Sequence, residues 1–435
     1  LGIFTADENL AVRRNGVKRR FPAEVLTEAA TLSARPITVE GRRDFRELMT
    51  VSVDDPFTTE IDDAFAFIDG AHPEMIVFIA DPAELVPDGS AVDREALRRG
   101  ATLYIPEDKI PMLPESLCDD RASLVAGVDR YALAFIFGLN DRGGVYEMRI
   151  EEAIIRVDYA ISYREVDAIL KGKDHLARTL LLQVQGASER LRLERQRLGA
   201  LTVDRRDVGV HCLPNGKVDV LCYRTDEPSR RMVAEWMIQT SCHAAAYCSE
   251  RKVPAVYRTQ AAPEERPRIP EGRPLLAHEI QTILKTMRRA ELGTEPGPHA
   301  GLALPCYTQV TSPLRRYQDL MMHRQLKHVV RRGIPRYTAP ELVSNFGTLE
   351  AAAAVQRDVE RESRRYWLLK HLETRVGQRV KAEAVRSVGG KRWVFDLVDF
   401  GVSALHALPK APTAGDTLIL LLKSVDARGD KIVLA

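Results

Sequence analysis

The pattern of apolar and polar positions divides the chain into regions of different structure. Residues 46–160 contain short apolar runs separated by Pro, Gly and Asp, which predict strands over residues 48–53, 64–68, 75–79 and 132–139. From about residue 160, apolar residues recur at helical spacing, which predicts helices over residues 166–170, 177–198, 230–250 and 275–292. A strand pair around residues 208–223, with Pro214-Asn215-Gly216-Lys217 at its turn, interrupts these helices.

Two long helices and a group of short strands follow. The first helix is predicted to begin at Ser312-Pro313, a good N-cap and first residue, and to run to about Arg332. The second begins near Thr348 and ends at Gly377. Residues 378–435 then alternate in short strands with Gly and Asp turns, over residues 380–385, 393–398, 417–425 and 431–434. Several short strands in so short a segment are typical of a small barrel.

We therefore expect an α+β protein with two main domains. A mixed-sheet and helical domain covers residues 46–376, and an all-β barrel covers residues 377–435. Residues 1–45 are predicted to be a lead-in or the remnant of an N-terminal module, with a helix over residues 23–32 that Pro22 introduces. The length of 435 residues agrees with about three such parts.

Composition sets limits on the class of protein. The chain is 45% hydrophobic and 29% charged, as in ordinary globular proteins. It contains no apolar run near the ~20 residues that span a bilayer and no opening signal peptide. The six cysteines include no C-x-x-C pair, so we expect reduced thiols, no zinc knuckle and a cytoplasmic location.

The net charge of +2 does not by itself indicate nucleic-acid binding. The basic residues are clustered, however, at Arg13-Arg14 with Lys18-Arg19-Arg20, at residues 190–197 and at residues 361–365. Each cluster fits a solvated helix face as well as a contact with RNA, and the sequence leaves both interpretations open.

Candidate metal ligands lie in one acidic stretch. Five acidic residues fall within ten positions: Asp54, Asp55, Glu60, Asp62 and Asp63. Neighbouring carboxylates repel one another unless cations neutralise them, and carboxylate oxygens are the ligands that Mg²⁺ and Mn²⁺ prefer. An acidic surface turn is the alternative, but apolar runs enter and leave the stretch.

A calcium loop of the EF-hand type is a further alternative for the acidic stretch. Counted from Asp54, the loop requires Gly at the sixth position and Glu at the twelfth, where Thr59 and Phe65 stand. The sequence therefore excludes it.

Candidate phosphate ligands follow Ser312. Arg315 and Arg316 would lie in the first turn of the predicted helix, where the helix dipole disfavours cations and where a capping box would place Glu or Gln. An arginine beside a metal cluster can clamp a phosphate and stabilise the charge of a transition state. A salt bridge from Arg315 to Asp319 explains the same position, and both interpretations stay open.

These two stretches resemble signatures of the ribonuclease II / ribonuclease R family. The acidic stretch is similar to D-x₅-D-x-D-D-A, which places Asp54, Glu60, Asp62 and Asp63 at the four metal-binding positions, with Glu60 replacing the usual Asp. Residues 311–319 are similar to T-S-P-[IL]-R-[RK]-Y-x-D, whose first arginine, here Arg315, contacts the scissile phosphate. The resemblance covers roughly residues 42–435.

Weaker matches concern the substrate. Tyr104, in a T-x-Y-[LI]-P segment, matches a tyrosine that stacks on a base, and Tyr163 matches one near the ribose. Glu235 matches the second acid of an I-E-E segment, whose first acid is Ala234 here. Such groups can sense the 2′-hydroxyl of RNA. Without the resemblance, Tyr104 fits a core residue better than a ligand. For Tyr163 and Glu235, a core tyrosine and a helix-surface glutamate are equally good interpretations.

The family resemblance implies a fold and an activity. The barrel would be an OB-fold RNA-binding domain, with Trp393, Phe395 and Phe400 as its aromatic residues. The catalytic domain would be of the RNB type, with Asp62 and Arg315 in catalysis and Mg²⁺ or Mn²⁺ at the acidic residues. A monomer would take single-stranded RNA, 3′ end first, and release nucleoside 5′-monophosphates. The alternative is a catalytically inactive RNA-binding regulator on the same fold.

Overall fold

The computed structural model describes residues 9–140, 143–201, 206–213, 215–270, 273 and 275–435. The strands before residue 163 are β1 (Arg43–Asp44), β2 (Val51–Asp54), β3 (Asp63–Ile68), β4 (Glu74–Ala80), β5 (Leu103–Ile105), β6 (Asp108–Ile110), β7 (Asp129–Leu139), β8 (Val145–Arg156) and β9 (Tyr159–Ser162). Seven of them form one mixed sheet in the order β1-β8-β7-β4-β3-β2-β9. The pairs β1–β8 and β2–β9 are parallel, and the other neighbours are antiparallel. Strands β5 and β6 form a separate hairpin.

Helices surround this sheet. They are α1 (Leu10–Arg14), α2 (Ala23–Ser33), α3 (Pro82–Leu85), α4 (Ala91–Arg99), α5 (Tyr163–Leu170), α6 (Arg178–Arg197), α7 (Pro228–Glu250), α8 (Ala277–Thr286), α9 (Tyr317–Arg332), α10 (Ala339–Ser344) and α11 (Phe346–Glu373). A π-helical turn covers Ser116–Arg121 and a 3₁₀ turn covers Ala300–Leu302. Among the described helices, none is both long enough and apolar enough to cross a bilayer.

The central strands are buried because both faces are covered. Strands β4 and β7 consist almost entirely of buried residues, as their continuous apolar runs require. On one face, Phe137 of β7 packs against Trp236 of α7, with 5.4 Å between their ring centroids. The expectation of a mixed sheet with flanking helices is confirmed.

The remaining strands form two hairpins and a barrel. They are β10 (Arg206–Cys212), β11 (Val218–Arg224), β12 (Tyr257–Thr259), β13 (Glu291–Gly293), β14 (Arg379–Ser387), β15 (Arg392–Leu397), β16 (Val402–Ala407), β17 (Thr417–Asp426) and β18 (Lys431–Leu434). The last five pair in the order β16-β15-β14-β17-β18, and β16 approaches β18, so the sheet is nearly closed. This five-stranded arrangement agrees with the expected OB barrel.

The core of the barrel extends beyond residues 377–435. It includes the buried side chains of Leu368, Leu369 and Leu372 from the end of α11. Val208 and Val210 of the β10–β11 hairpin belong to the same cluster. The boundary at Gly377, which the change of pattern predicts, therefore separates strands from helix but passes through a shared hydrophobic core.

Helix α9 does not begin at Ser312, and this prediction was wrong. The helix begins at Tyr317, and residues 312–316 form a turn whose backbone makes tertiary hydrogen bonds instead. The Leu314 amide donates to Asp62 (3.0 Å), and the Thr102 amide donates to the Arg315 carbonyl (3.0 Å). Neither arginine therefore lies in a helical first turn, and the argument from the helix dipole does not apply.

Other elements also differ from those that the sequence predicts. The helix expected over residues 275–292 ends at Thr286, because residues 291–293 pair as β13 with β12. Strands β8 and β16 were not predicted. Pro214 of the predicted turn lies outside the described residues, but Asn215 accepts a hydrogen bond from the Lys217 amide (3.0 Å) in that turn.

Candidate active site

One cavity of about 2330 Å³ lies between the sheet, α5, α7, the two hairpins β5–β6 and β10–β11, α11 and the barrel. Its walls include most of the predicted site residues: Asp54, Glu60, Asp62, Asp63, Tyr104, Tyr163 and Arg315. The structure thus brings together residues that lie up to 261 positions apart in the sequence. Glu235 is the predicted site residue that does not line this cavity.

The ends of two neighbouring strands position the acidic residues. Strand β2 ends at Asp54 and β3 begins at Asp63, and the strands pair through Val51 and Phe65. The intervening loop turns at the hydrogen bond from the Thr58 amide to the Asp55 carbonyl (2.9 Å). Because the strands are antiparallel neighbours, the loop returns its acidic residues to the edge where β2 ends.

Burial dominates the electrostatics of these carboxylates, and for Asp63 the charges of its acidic neighbours add to it. Burial raises the pKa of Asp54 to about 6 and the pKa of Asp62 to about 7, although Arg315 opposes both shifts. The pKa of Asp63 lies well above its ordinary value because of burial and then because of the charges on Asp54 and Asp62. The three groups therefore share one desolvated, negatively charged environment.

Asp63 has the feature expected of a metal ligand. Its Oδ2 atom is buried and has no hydrogen-bond partner among the described residues. An unpartnered buried polar atom costs about 1–3 kcal/mol, and more when charged. A hard divalent cation would neutralise it together with Asp54 and Asp62, so this donor set fits Mg²⁺ or Mn²⁺.

Two other groups of possible ligands are tighter. In the described part of the chain, three ligand atoms lie within 4.8 Å of one another in the groups Glu60–Cys118–Asp119 and Asp81–Glu84–Glu152, whereas Asp54, Asp62 and Asp63 form no such group. Protein cations already neutralise both tight groups. Lys109 binds Asp119, and the side chains that pair with the second group are Lys327, Arg42 and Arg331.

Glu60 is buried in this acidic loop, with only 3% of the residue exposed. Its Oε2 accepts a hydrogen bond from the Tyr104 hydroxyl, and its Oε1 accepts one from Thr102 Oγ1 (3.1 Å). Lys109 Nζ lies 3.8 Å from the same Oε1. Both carboxylate oxygens of Glu60 are therefore engaged by protein groups, in contrast to the free oxygen of Asp63.

Arg315 is anchored to the acidic cluster. Its Nε donates to Asp62 Oδ2 (3.1 Å) and its Nη2 donates to Ser312 Oγ (3.0 Å), while 44% of the side chain remains exposed to the cavity. The ion pair with Asp319 belongs to Arg316 instead, at 2.7 Å. The guanidinium of Arg315 therefore faces the cavity, whereas Arg316 links the turn to helix α9.

The ring of Tyr104 belongs to the cavity wall. It is 45% exposed on β5, between the buried residues Leu103 and Ile105. Strand alternation points the two neighbours into the core and Tyr104 outward. Its hydroxyl bond to Glu60 holds the ring edge beside the acidic residues.

Tyr163 lies under an arginine that sequence reasoning did not identify. The guanidinium of Arg230 lies 4.3 Å from the ring centroid of Tyr163 and 4.4 Å from that of Tyr223. Arg230 also donates to Asp55 Oδ1 (2.9 Å), so it links α7, α5 and the acidic loop. In the sequence it is an ordinary polar residue near a helix start and gives no signal of this position.

Glu235 is placed elsewhere. It is 2% exposed, and its two oxygens accept hydrogen bonds from Arg195 at 2.9 and 2.6 Å. Gln239 donates a third bond at 2.8 Å. Glu235 therefore joins α6 to α7 in a buried ion pair, and it is not the helix-surface glutamate of the alternative interpretation.

Comparison with known proteins agrees with this architecture. An uncharacterized ribonuclease from Synechocystis sp. is 30% identical over 446 residues, which cover 99% of this chain and 66% of that protein. The chain spans about half to two thirds of the length of the curated relatives that it matches.

Solved structures show the same fold. Mycoplasma genitalium RNase R in complex with ribose-methylated single-stranded RNA superposes with a TM-score of 0.82 at 18% identity, covering 98% of this chain and 77% of that one. Yeast Ssd1, a pseudonuclease, superposes with a TM-score of 0.70 at 18% identity, covering 89% of this chain and 54% of that one. Identities this low establish the fold alone.

A family match covers more than half of the chain. The model described as "RNB domain" matches residues 42–269 and 270–332, which contain the acidic stretch, the Tyr104 hairpin and the Arg315 turn. The chain therefore belongs to the RNB domain family.

Proposed function

We propose that the chain is a divalent-metal-dependent exoribonuclease that hydrolyses single-stranded RNA from its 3′ end to nucleoside 5′-monophosphates. One observation carries the proposal: the half-exposed Arg315 and the unpartnered Oδ2 of Asp63 line the same cavity as Asp54 and Asp62. Cations and carboxylates arranged in this way suit the hydrolysis of a phosphodiester.

The acidic residues would hold the metal. Asp54, Asp62 and Asp63 are its proposed ligands, and Glu60 contributes its charge from beside Tyr104. When bound, Mg²⁺ or Mn²⁺ would supply an activated water and neutralise the leaving oxygen. The family resemblance supports the 3′-to-5′ direction and the monophosphate product.

Arg315 would bind the scissile phosphate. Nε and Nη2 are held by Asp62 and Ser312, so the guanidinium plane is fixed before the substrate arrives. Its Nη1 has no partner in the described part of the chain and is left for a phosphate oxygen. A cation positioned in advance stabilises charge that develops in the transition state without reorganisation.

Two tyrosines would hold the last nucleotides. The exposed ring of Tyr104 offers a surface on which any base can stack, which suits a nuclease without sequence preference. Tyr163, whose pKa is raised by burial and then by the charges of Asp63 and Asp54, lies near the acidic residues, where a ribose would lie. The buried Glu235 would act on the substrate only through α7.

The alternative is an RNA-binding regulator that lacks catalysis, and the similarity to the fold of yeast Ssd1 makes it concrete. That function predicts the loss of an acidic ligand or of the arginine. In this chain all four acidic positions and Arg315 are filled, which favours the enzyme.

A 5′-labelled single-stranded oligoribonucleotide tests the proposal. Incubated with the protein and Mg²⁺, it is expected to shorten in steps of one nucleotide while nucleoside 5′-monophosphates accumulate. EDTA should stop the reaction. Binding without shortening in Mg²⁺ or Mn²⁺ would favour the regulator. Immediate release of the labelled nucleotide would mean that degradation begins at the 5′ end, contrary to the proposal.

A further inference from the structure

Helix α11 presents a row of arginines to the cavity. The α11 residues that line it are Arg357, Glu360, Arg361, Arg364, Arg365 and Leu368. Their spacing of three and four positions puts them on one face of the helix. From Arg357 to Leu368 the row is about 16 Å long at the helical rise of 1.5 Å per residue. It leads from the Tyr104 hairpin towards the barrel loop at Gly401.

Two of these arginines hold the walls of the cavity. Arg364 donates to Asp207 (3.1 Å) and to the Val208 carbonyl (2.7 Å), which fastens strand β10 to α11. Arg365 donates to Asp430 and to the Ser403 carbonyl (3.3 Å) of the barrel. Because these guanidinium groups are engaged by protein acceptors, their positions are explained by structure alone.

The other two arginines have no comparable partner in the part of the chain that the structure describes. Among the described residues, Arg361 pairs only with Asp358 of its own helix (2.8 Å), and 70% of its side chain is exposed. Such an exposed pair stabilises a protein by less than about 1 kcal/mol. Arg357 is exposed and has no ion pair within the described ranges. Neither residue therefore makes a tertiary ion pair with the described residues that would explain its place on the cavity wall.

Contacts of neighbouring residues fix the position of the helix segment that carries Arg357 and Arg361. Gln356 Nε2 donates to the carbonyls of Arg99 (3.0 Å) and Ala101 (2.7 Å), which sets the position of α11 against the catalytic domain. Glu360 Oε1 accepts from the Tyr104 amide (3.4 Å). Arg357 and Arg361 thus flank the point where the proposed base-stacking hairpin touches α11.

We propose that Arg357 and Arg361 form a phosphate track that binds the backbone of the RNA strand upstream of the nucleotide at the acidic residues. The inference rests on the proposed function for the identity of the strand. The acidic floor of the cavity repels a polyanion, so a long substrate needs compensating cations along its path. A backbone contact carries no sequence information, which suits a strand that advances through the cavity.

Binding measured without hydrolysis tests the track. The Arg357→Gln/Arg361→Gln variant and the wild-type protein are titrated in EDTA with a fluorescent single-stranded oligoribonucleotide of about 20 nucleotides, at several KCl concentrations. Each lost phosphate contact reduces the salt slope by about 0.7, so we expect a decrease of about 1.4. Affinity at low salt should fall roughly tenfold for each arginine.

The Arg289→Gln/Arg332→Gln variant is the matched control. It removes two exposed arginines that do not line the cavity and should leave the slope unchanged. Equal slopes for the wild-type and the track variant, or an equal loss in the control, would overturn the proposal.

The binding experiment separates the two proposals. If the protein hydrolyses RNA in Mg²⁺ but the track variant binds like the wild type, the track fails and the enzyme stands. If the track variant loses affinity while the wild-type protein never hydrolyses RNA, the cavity binds RNA and the nuclease proposal fails.

Discussion

Arg315 Nε lies 3.1 Å from Asp62 Oδ2, although the two residues are 253 positions apart in the sequence. The Leu314 amide binds the other oxygen of the same carboxylate at 3.0 Å. Asp62 therefore organises two groups at once: it fixes a cation at the edge of the cavity and holds residues 312–316 out of helix α9. This contact joins the acidic stretch to the arginine turn.

Replacement of Arg315 should reduce turnover far more than RNA affinity. Arg315→Ala removes the guanidinium that we assign to transition-state charge, and such a loss appears in kcat rather than in binding. We expect a fall of about 100-fold or more in kcat, as for the loss of one preorganised donor. Single-turnover rates at saturating protein measure it directly.

Arg316→Ala is the control for Arg315. Arg316 pairs with Asp319, so its loss should lower the melting temperature and change kcat less than Arg315→Ala does. If the two variants lose the same kcat, the assignment of Arg315 to the phosphate is wrong. A normal saturated rate with weak binding in Arg315→Ala would make that residue an ordinary RNA contact.

Asp63→Asn should remove the stabilisation of the protein by divalent metal. Mg²⁺ at 100 times its dissociation constant stabilises a folded protein by about 2.7 kcal/mol, and this gain requires the ligand charges. In EDTA the variant should be no less stable than the wild type. The substitution removes a charge from a buried carboxylate whose Oδ2 has no hydrogen-bond partner among the described residues. Melting curves with MgCl₂ and with EDTA decide this, and an equal Mg²⁺ shift in both proteins would exclude Asp63 as a ligand.

Tyr104 tests the stacking surface. Tyr104→Ala removes a base contact of about 1–3 kcal/mol, so the enzyme should release a longer final product. Tyr104→Phe keeps the ring and loses only the hydroxyl bond to Glu60, so its final product should match that of the wild type. Gel analysis of the limit digest separates them. The same product length in the folded Ala variant would argue against stacking.

The shared core predicts that the barrel and α11 unfold together. Leu369 is fully buried in the barrel cluster, and Leu369→Ala should lower the free energy of unfolding by about 2–5 kcal/mol. Leu421, which is 39% exposed on β17, is the control. Leu421→Ala should change the free energy of unfolding by less than about 0.5 kcal/mol. Urea unfolding followed by tryptophan fluorescence measures both. A small effect of Leu369→Ala would mean that the barrel folds independently of α11.

The barrel core illustrates which features of the fold could be predicted from the sequence and which could not. Strong local patterns predicted the strands β4 and β7, because apolar runs act within a few positions. They also singled out the five acidic residues, which line the cavity. The barrel boundary at Gly377 followed from the same kind of pattern. Contacts of Leu368 and Leu369 with strands that lie further along the chain leave no local signal, so the true extent of the core was missed.

The site shows the same limit. Ser312-Pro313 is a good helix start, but the tertiary bonds of Leu314 and Arg315 prevailed over it. The position of Arg230 could not be predicted, because only the folded structure brings it over Tyr163 and Tyr223. Glu235 matched a family motif by position, yet it pairs with Arg195 on another helix and does not line the cavity.

The rate at which a 5′-labelled oligoribonucleotide shortens in Mg²⁺ tests the central claim most directly, when it is measured side by side for the wild type and for Asp63→Asn. Metal activation supplies both the nucleophile and charge stabilisation, so the variant should be slower by several orders of magnitude while binding RNA nearly as well. Shortening by Asp63→Asn at a rate near that of the wild type would contradict the assignment of the acidic cluster as the catalytic metal site.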